Sequence, residues 1–236
     1  MSEATRASGP GQTVERDRRL AYAEGPRALA EIAALLPAAP YLSLAPRGDG
    51  HSVLVLPGLG GGDGSTLVMR RYLAAQGFAA ASWDLGRNLG PAMDGLGRRL
   101  SERFEAVWRD GGRRRVSLVG WSLGGVYARR LAQWHPDRVR QVITLGSPIG
   151  GLPPPVVPGS AVYSRTDGIV PWQVSRQAPA PSAENIEVYG SHIGLGFNAS
   201  ALYLLAERLA QPEDGWQPFQ RSGWKRWVYG ADRVSG

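Results

Sequence analysis

The sequence predicts an α/β protein built on one mostly parallel sheet with helices on both faces. From residue 51 onward, short apolar runs alternate with segments of helical periodicity. Strands that alternate with helices are typical of parallel sheets. Residues 52–56 and 116–121 are apolar almost throughout, without the in-and-out alternation of a half-exposed strand. Continuous apolar runs favour strands that are buried on both sides.

The elements follow one another regularly along the chain. About six strands are expected, over residues 52–56, 78–83, 116–121, 141–145, 161–164 and 186–189. Helices are expected between them over residues 27–36, 65–76, 92–109 and 123–134, and Asn198 is a good N-cap for a last helix. The carboxyl ends of parallel strands are where such folds place their sites.

The chain length of 236 residues fits one domain. Residues 1–20 are polar, and we expect a flexible N-terminal segment there. Residues 21–236 are expected to form a single domain, since no internal repeat or long linker interrupts them. Only a short stretch rich in proline and glycine, residues 147–159, separates the fourth and fifth strands. No large cap domain is therefore expected.

The composition excludes several kinds of chemistry. The chain has no cysteine, which excludes disulfides, a thiol nucleophile and cysteine-ligated metals. Only three histidines occur, so no metal site built on several histidines is expected. The formal charge of +7 comes almost entirely from arginine. Because no nucleic-acid-binding motif accompanies the arginines, we interpret them as a solvated surface and expect no nucleic-acid partner.

No segment is long enough to span a membrane. The longest uncharged stretch near the start, residues 32–46, contains three prolines and is shorter than the ~20 residues that a spanning helix needs. No signal-peptide pattern precedes it, and we expect a cytoplasmic protein. The C-terminal tail contains Trp216, Trp224 and Trp227, which we expect to pack back onto the domain. A contact of the tail with a lipid surface is the alternative.

The candidate nucleophile is Ser122. It stands in the sequence GWSLGG, a G-x-S-x-G motif between an apolar strand and a helix. In such a motif the serine sits on a sharp turn, and the flanking positions need glycine because side chains there would collide at the strand–helix crossing. The alternative interpretation of Ser122 is a helix N-cap in a glycine-rich turn.

A serine hydroxyl needs a general base, and the base needs an orienting acid. His192 follows the sixth predicted strand, whereas His135 lies at a helix C-terminus and His51 lies at the opposite end of the sheet. Asp167 follows the fifth predicted strand at its carboxyl end. The other acids between the serine and the histidine, Asp137, Glu184 and Glu187, are placed less well. We therefore predict the triad Ser122, His192 and Asp167.

The expected oxyanion hole consists of two backbone N–H groups. Leu123, which follows the nucleophile, is one candidate donor, and Leu59 in the glycine-rich loop PGLGGG is the other. A phosphate-binding loop is excluded, because the only lysine is Lys225. Gly58 would let the backbone approach a substrate, and Trp121 and Trp172 are candidate substrate-binding residues.

These motifs resemble those of α/β-hydrolases, and specifically of small bacterial lipase- and esterase-like members. The matching pieces are PGLGGG, GWSLGG, RTDGIVPW and GSHIGLGFN, in the family's order over residues 51–211. The resemblance implies cofactor-free hydrolysis of small-molecule acyl esters through an acyl-enzyme. The alternatives are a thioesterase, a lactonase or an acyltransferase with the same triad, and a binding protein without catalysis. The sequence does not decide the oligomeric state.

Overall fold

The computed structural model describes residues 17–230, which contain one six-stranded sheet in the order β2-β1-β3-β4-β5-β6. All five strand pairs are parallel. The strands are β1 (Ser52–Leu56), β2 (Ala79–Ala81), β3 (Val116–Trp121), β4 (Val139–Leu145), β5 (Gly159–Tyr163) and β6 (Ala183–Glu187). The predicted parallel sheet of six strands is confirmed.

Seven α-helices occur in the described residues. They are α1 (Arg18–Ala34), α2 (Ala39–Ser43), α3 (Leu67–Ala75), α4 (Leu96–Asp110), α5 (Leu123–Trp134), α6 (Ala199–Leu209) and α7 (Lys225–Val228). As predicted, Asn198 caps α6, and its side chain accepts hydrogen bonds from the N–H groups of Ser200 and Ala201.

Both faces of the sheet are covered, which explains the continuous apolar strands. Successive side chains of a strand point to opposite faces. Val53 and Val55 of β1 pack in a core with α2, α3 and α6, whereas Leu54 and Leu56 pack in a second core with α4 and α5. Every position of β1 is therefore buried, whichever face its side chain occupies.

The strand order reverses beside β1. From β1 the chain crosses to the edge strand β2 and then returns to β3 on the other side of β1. A parallel sheet has a crevice at the carboxyl ends of the strands where its order reverses. In this sheet the crevice lies between the ends of β1 and β3, after Leu56 and Trp121.

The bounds of several elements differ from the expectations, most of all those of β6 and of α1, which covers residues 18–34 rather than 27–36. Strand β6 begins at Ala183, three residues before the predicted start, and ends at Glu187, two residues before the predicted end. The strand can include Glu184 because its carboxylate lies 2.8 Å from the Arg208 guanidinium. Helix α1 begins at Arg18, capped by Asp17, so the flexible segment predicted over residues 1–20 is too long at its end. The rest of that segment, residues 1–16, lies outside the described residues.

The segment between β4 and β5, residues 146–158, contains no helix, as expected for a chain without a large cap. The tail folds back on α2 and α6: Trp224 packs edge-on against Tyr41 and Tyr203, and the buried Tyr229 hydroxyl donates to the Ser200 carbonyl at 3.0 Å. Trp227 remains 77% exposed. No helix within residues 17–230 combines the length and the apolar character that a membrane span requires.

Candidate active site

Ser122 lies on a strained turn between β3 and α5. Its φ of 53° and ψ of −125° place a non-glycine residue in a backbone region that L-residues rarely adopt. The flanking glycines are required by space. A Cβ at Gly120 would collide with Gly124 and Gly125, and one at Gly124 would collide with the Leu56 carbonyl. The turn lifts the Ser122 hydroxyl above the carboxyl end of the sheet, where it is partly exposed.

The structure brings the three predicted triad residues together. The Nε2 of His192 lies 3.0 Å from the Oγ of Ser122, and its Nδ1 lies 2.7 Å from Oδ2 of Asp167. Both His192 and Asp167 are buried. An ionised carboxylate only accepts hydrogen bonds, so we assign the ring proton to Nδ1. That tautomer leaves Nε2 free to accept the proton of the serine hydroxyl.

The carboxylate of Asp167 is fixed from its other side. Its Oδ1 accepts hydrogen bonds from the backbone N–H groups of Ile169, at 2.8 Å, and Val170, at 2.7 Å. The turn that follows β5 therefore orients the carboxylate, and Oδ2 is left for the imidazole. Such an arrangement holds one tautomer of the histidine and can stabilise its protonated form.

Two unpaired backbone donors lie beside the serine. Within residues 17–230, the N–H groups of Leu59 and Leu123 donate no hydrogen bond. Gly58 lies against the nucleophile, since a Cβ built on it would be 3.0 Å from the Cβ of Ser122 and 3.6 Å from its Oγ. The glycine-rich loop therefore approaches the serine closely, and within the described residues the N–H group of Leu59, the residue after Gly58, donates to no acceptor.

Asn88 holds this glycine-rich loop and was not singled out by sequence reasoning. The side chain is fully buried, and its Nδ2 donates to the Pro57 carbonyl at 2.9 Å. Its backbone N–H donates to the Gly61 carbonyl, and its carbonyl accepts from the Gly60 N–H, both at 2.7 Å. The only signal in the sequence was its place in the loop after β2, next to the crevice.

The two candidate substrate-binding tryptophans have different surroundings. The Trp121 indole N–H donates to the His192 carbonyl at 3.0 Å, so this side chain braces the histidine loop. Trp172 stacks on Tyr163, and the Arg165 guanidinium lies 4.2 Å from its ring centre. Trp172 also lines a cleft of about 210 Å³ whose lining includes Asp167 but neither Ser122 nor His192.

Helix α1 supplies three side chains to the site that the sequence reasoning missed. Glu24, Arg27 and Glu31 all bond to the loops that carry Asp167 and His192. Between Leu20 and Pro46 these are the only charged residues, and their spacing of three and four puts them on one helix face. That pattern was the available signal for a buried polar face.

The other two histidines lie away from Ser122, as expected. His135 follows α5, stacks on Phe104, and lies 3.2 Å from the Ser101 hydroxyl. Burial lowers its pKa. His51 is buried at the opposite end of the sheet. Its Nδ1 lies 2.5 Å from Asp49 and its Nε2 lies 2.8 Å from the Ser117 hydroxyl.

Burial and hydrogen bonds change the pKa values of His51 and Asp49, which form a cluster with Ser117. It lowers the pKa of His51, and the hydrogen bond with Asp49 only partly offsets the effect. Partial burial alone would raise the pKa of Asp49, but the hydrogen bonds from His51 and Arg140 outweigh it and hold that pKa well below its usual range. His51 is therefore held neutral between an ionised carboxylate and a hydroxyl.

Metal ligands do not cluster in the part of the chain that the structure describes: no group of three or more histidine, aspartate or glutamate side chains could hold an ion.

Comparisons with known proteins support the fold. The family described as alpha/beta hydrolase fold matches residues 52–193. No curated protein matches the sequence significantly. Among similar solved structures are an α/β hydrolase fold protein from Nakamurella multipartita (17% identity, 69% of this chain, 93% of that chain, TM-score 0.53) and a monoacylglycerol lipase from Paleococcus ferrophilus (15%, 68%, 96%, 0.52). The thioesterase domain of a curacin biosynthetic pathway is also similar (15%, 68%, 92%, 0.50).

Proposed function

This chain belongs to the alpha/beta hydrolase fold family, and we propose that it is a serine hydrolase that cleaves carboxylic esters through an acyl-enzyme intermediate. The observation that carries the proposal is the continuous hydrogen-bonded chain from Ser122 through His192 to Asp167, with distances of 3.0 and 2.7 Å. A nucleophile, its base and the base's orienting acid need this mutual geometry.

In the first step, the Oγ of Ser122 attacks the carbonyl carbon of the ester while His192 Nε2 takes the hydroxyl proton. Asp167 keeps the imidazole in the required tautomer and stabilises its protonated form. The carbonyl oxygen becomes an oxyanion, and the N–H groups of Leu59 and Leu123 are positioned to donate to it. Donors that are already aimed at the developing charge lower the barrier without reorganising.

In the second step, His192 returns the proton to the leaving alcohol, and the bond between the acyl carbon and the ester oxygen breaks. Ser122 then carries the acyl group as an ester. Water enters, gives a proton to His192, and attacks the acyl carbon. The bond between the acyl carbon and the Oγ of Ser122 then breaks while His192 returns its proton to Oγ, which releases the carboxylic acid and restores the serine hydroxyl without a cofactor.

The preferred substrates are small or medium acyl esters. The segment between β4 and β5 has no helix that could roof the site. Leu59, which follows Gly58 in the loop that approaches Ser122, is 66% exposed and is available to contact an acyl chain. We keep Gly58, Trp121 and Trp172 as candidate substrate-binding residues.

A second candidate is a thioesterase, lactonase or acyltransferase that uses the same triad. The leaving group and the acceptor are chosen by the shape of the site rather than by the fold. Proteins of similar fold include both a lipase and a thioesterase domain, which leaves the ester and the thioester open. A binding protein without catalysis is disfavoured, because the proposed triad is complete.

The test is a panel of p-nitrophenyl esters from acetate to palmitate, assayed with the wild type and with Ser122→Ala. We expect hydrolysis that falls by about 10⁴-fold or more in the variant while the fold survives. The chain-length optimum would measure the acyl site. An inactive wild type that still reacts covalently with a fluorophosphonate at Ser122 would point to the thioester or transferase candidates. A folded wild type that does neither would refute the serine mechanism.

A further inference from the structure

We propose that Glu24, in α1, is a positioning residue that holds the loops of Asp167 and His192 in register with each other. This inference rests on the proposed function. Helix α1 lies outside residues 52–193, the part of the chain that matches the family. Glu24 is therefore not one of the residues on which the family match rests.

The carboxylate of Glu24 bridges the two loops. Its Oε1 accepts hydrogen bonds from the N–H of Gly168, at 2.8 Å, and from the N–H of His192, at 3.0 Å. Its Oε2 accepts from the N–H of Ile193 at 3.0 Å. Gly168 directly follows Asp167, so this carboxylate reaches the backbone on the acid side and on the base side of the candidate triad.

Because Glu24 is buried, its carboxylate depends on these hydrogen bonds. The side chain of Glu24 is only 4% exposed, and a buried carboxylate is tolerated only when hydrogen bonds replace its water. The three backbone N–H groups do this, and the Arg27 guanidinium lies 4.0 Å away. Charge-assisted hydrogen bonds of this kind are shorter and stronger than neutral ones. A neutral amide at this position could not accept all three.

The neighbours of Glu24 on α1 reinforce the same two loops. Arg27 donates to the carbonyl of Thr166 at 2.6 Å and to its hydroxyl at 2.8 Å. Glu31 accepts from the Ser191 N–H at 2.7 Å and from the Asn198 side chain at 3.1 Å. Arg27 therefore holds only the acid loop and Glu31 only the histidine side, whereas Glu24 contacts both loops.

The positions of these loops matter because proton transfer needs hydrogen-bond distance from Ser122 to His192. A displacement of about 1 Å that originates outside the reacting groups can lower a rate about 10²-fold. If Glu24 is lost, three buried N–H groups lose their acceptor, and the two loops lose their common anchor. We expect the loss to appear in turnover rather than in substrate binding.

The experiment compares the wild type with Glu24→Gln, Glu24→Ala and the control Glu184→Gln. The carboxylate of Glu184 is also largely covered, with its side chain 9% exposed, and it accepts a backbone hydrogen bond from Phe219, but it lies near the start of β6. Active sites are titrated with a fluorophosphonate, and kcat per titrated site, KM and melting temperature are measured with the best p-nitrophenyl ester. Hydrogen exchange is followed in residues 165–170 and 190–196.

We expect kcat per titrated site to fall about 10-fold in Glu24→Gln and about 100-fold in Glu24→Ala, with KM changed less than about 3-fold. Exchange in both loops should rise in the same order. Glu184→Gln should lower the melting temperature and leave kcat unchanged. If the titrated sites of Glu24→Ala turn over at the wild-type rate, or if exchange in either loop is unchanged, the inference is wrong.

Failure of the proposed function would look different. It would appear in the wild type itself, which would then neither hydrolyse esters nor react at Ser122. The exchange measurement needs no substrate, so it decides in every case whether Glu24 anchors the two loops. Unchanged exchange in Glu24→Ala would overturn the anchoring even in an inactive protein.

Discussion

Strand β3 has a serine, histidine and aspartate cluster at each end. At its carboxyl end, Ser122 lies 3.0 Å from His192, which lies 2.7 Å from Asp167. Near its amino end, Ser117 lies 2.8 Å from His51, which lies 2.5 Å from Asp49. The hydrogen-bond distances in the two clusters are therefore nearly the same. We propose chemistry only at the first.

The difference lies in the backbone around each serine. Ser117 is completely buried within the sheet, paired with Val53 and Gln141 on the neighbouring strands. No carbonyl substrate can approach its hydroxyl. Ser122 is lifted out of the sheet on its strained turn, beside the unpaired N–H groups of Leu59 and Leu123. An aligned triad therefore becomes a reactive site only with access and with oxyanion donors.

The largest expected contrast is between the two serines themselves. Ser122→Ala should lower ester hydrolysis about 10⁴-fold or more. Ser117→Ala should leave kcat within about 3-fold of the wild type and lower the free energy of unfolding by about 1 kcal/mol, because His51 loses its partner. Matched kinetics and urea unfolding check both. A large loss of activity in Ser117→Ala would mean that the clusters are coupled.

The next contrast concerns the approach to the nucleophile. In Gly58→Ala, the added Cβ would lie 3.0 Å from the Cβ of Ser122, which forces the loop away from the serine. We expect kcat to fall by about 10- to 100-fold, because the Leu59 N–H moves with the loop. Gly64→Ala is the control, since nothing lies within 4 Å of its added Cβ. Equal activity in the two variants would exclude close packing of the loop as a requirement.

A smaller effect is expected from Asn88→Ala, which removes one anchor of the glycine-rich loop and leaves the backbone anchors to Gly60 and Gly61. Direct loss of an oxyanion donor costs 10²- to 10³-fold, so loss of this indirect support should cost only about 10-fold in kcat. Asn185→Ala is the matched control, because Asn185 makes two comparable hydrogen bonds with Gln177. If kcat of Asn88→Ala were as high as that of Asn185→Ala, Asn88 would not support the glycine-rich loop.

The smallest effect concerns pH. Burial lowers the pKa of His51 below its value in the unfolded chain, near 6.5. As pH falls through 6.5, the unfolded chain takes up this proton before the folded protein does, so stability decreases toward acid. His51→Gln should lose that contribution. The difference between the two stability curves should therefore shrink as pH falls from 7.5 toward 5.5, and a constant difference would refute the assignment.

The fold was predictable because its signals are local. The almost wholly apolar runs of β1 and β3 indicated burial on both sides, and the glycines of GWSLGG, which the turn needs for steric reasons, are visible in the sequence. The start of β6 was not predictable, because Glu184 becomes acceptable in a strand only when Arg208 reaches it from elsewhere in the chain.

The residues of the candidate site also fall into those that the sequence predicted and those that it did not. Ser122, Asp167 and His192 follow strand ends, and the order of strands alone brings them to one edge. Glu24 carries no motif, and its partners lie more than a hundred residues away. An isolated glutamate in a helix is usually a solvated residue, so only the tertiary structure distinguishes it. The one local indication was its spacing from Arg27 and Glu31, the other two charged residues between Leu20 and Pro46.

The contacts of α1 can form only late in the synthesis of the chain. The hydrogen bonds from Gly168, His192 and Ile193 to Glu24 close loops of 144, 168 and 169 residues. At a synthesis rate of 5–20 residues per second, α1 waits roughly 7 to 35 seconds for these partners. The charged face of the helix stays unpaired until then. Ser122 is also synthesised 70 residues before His192, its proposed base, so under the proposed function a nascent chain contains the nucleophile before it can assemble the triad.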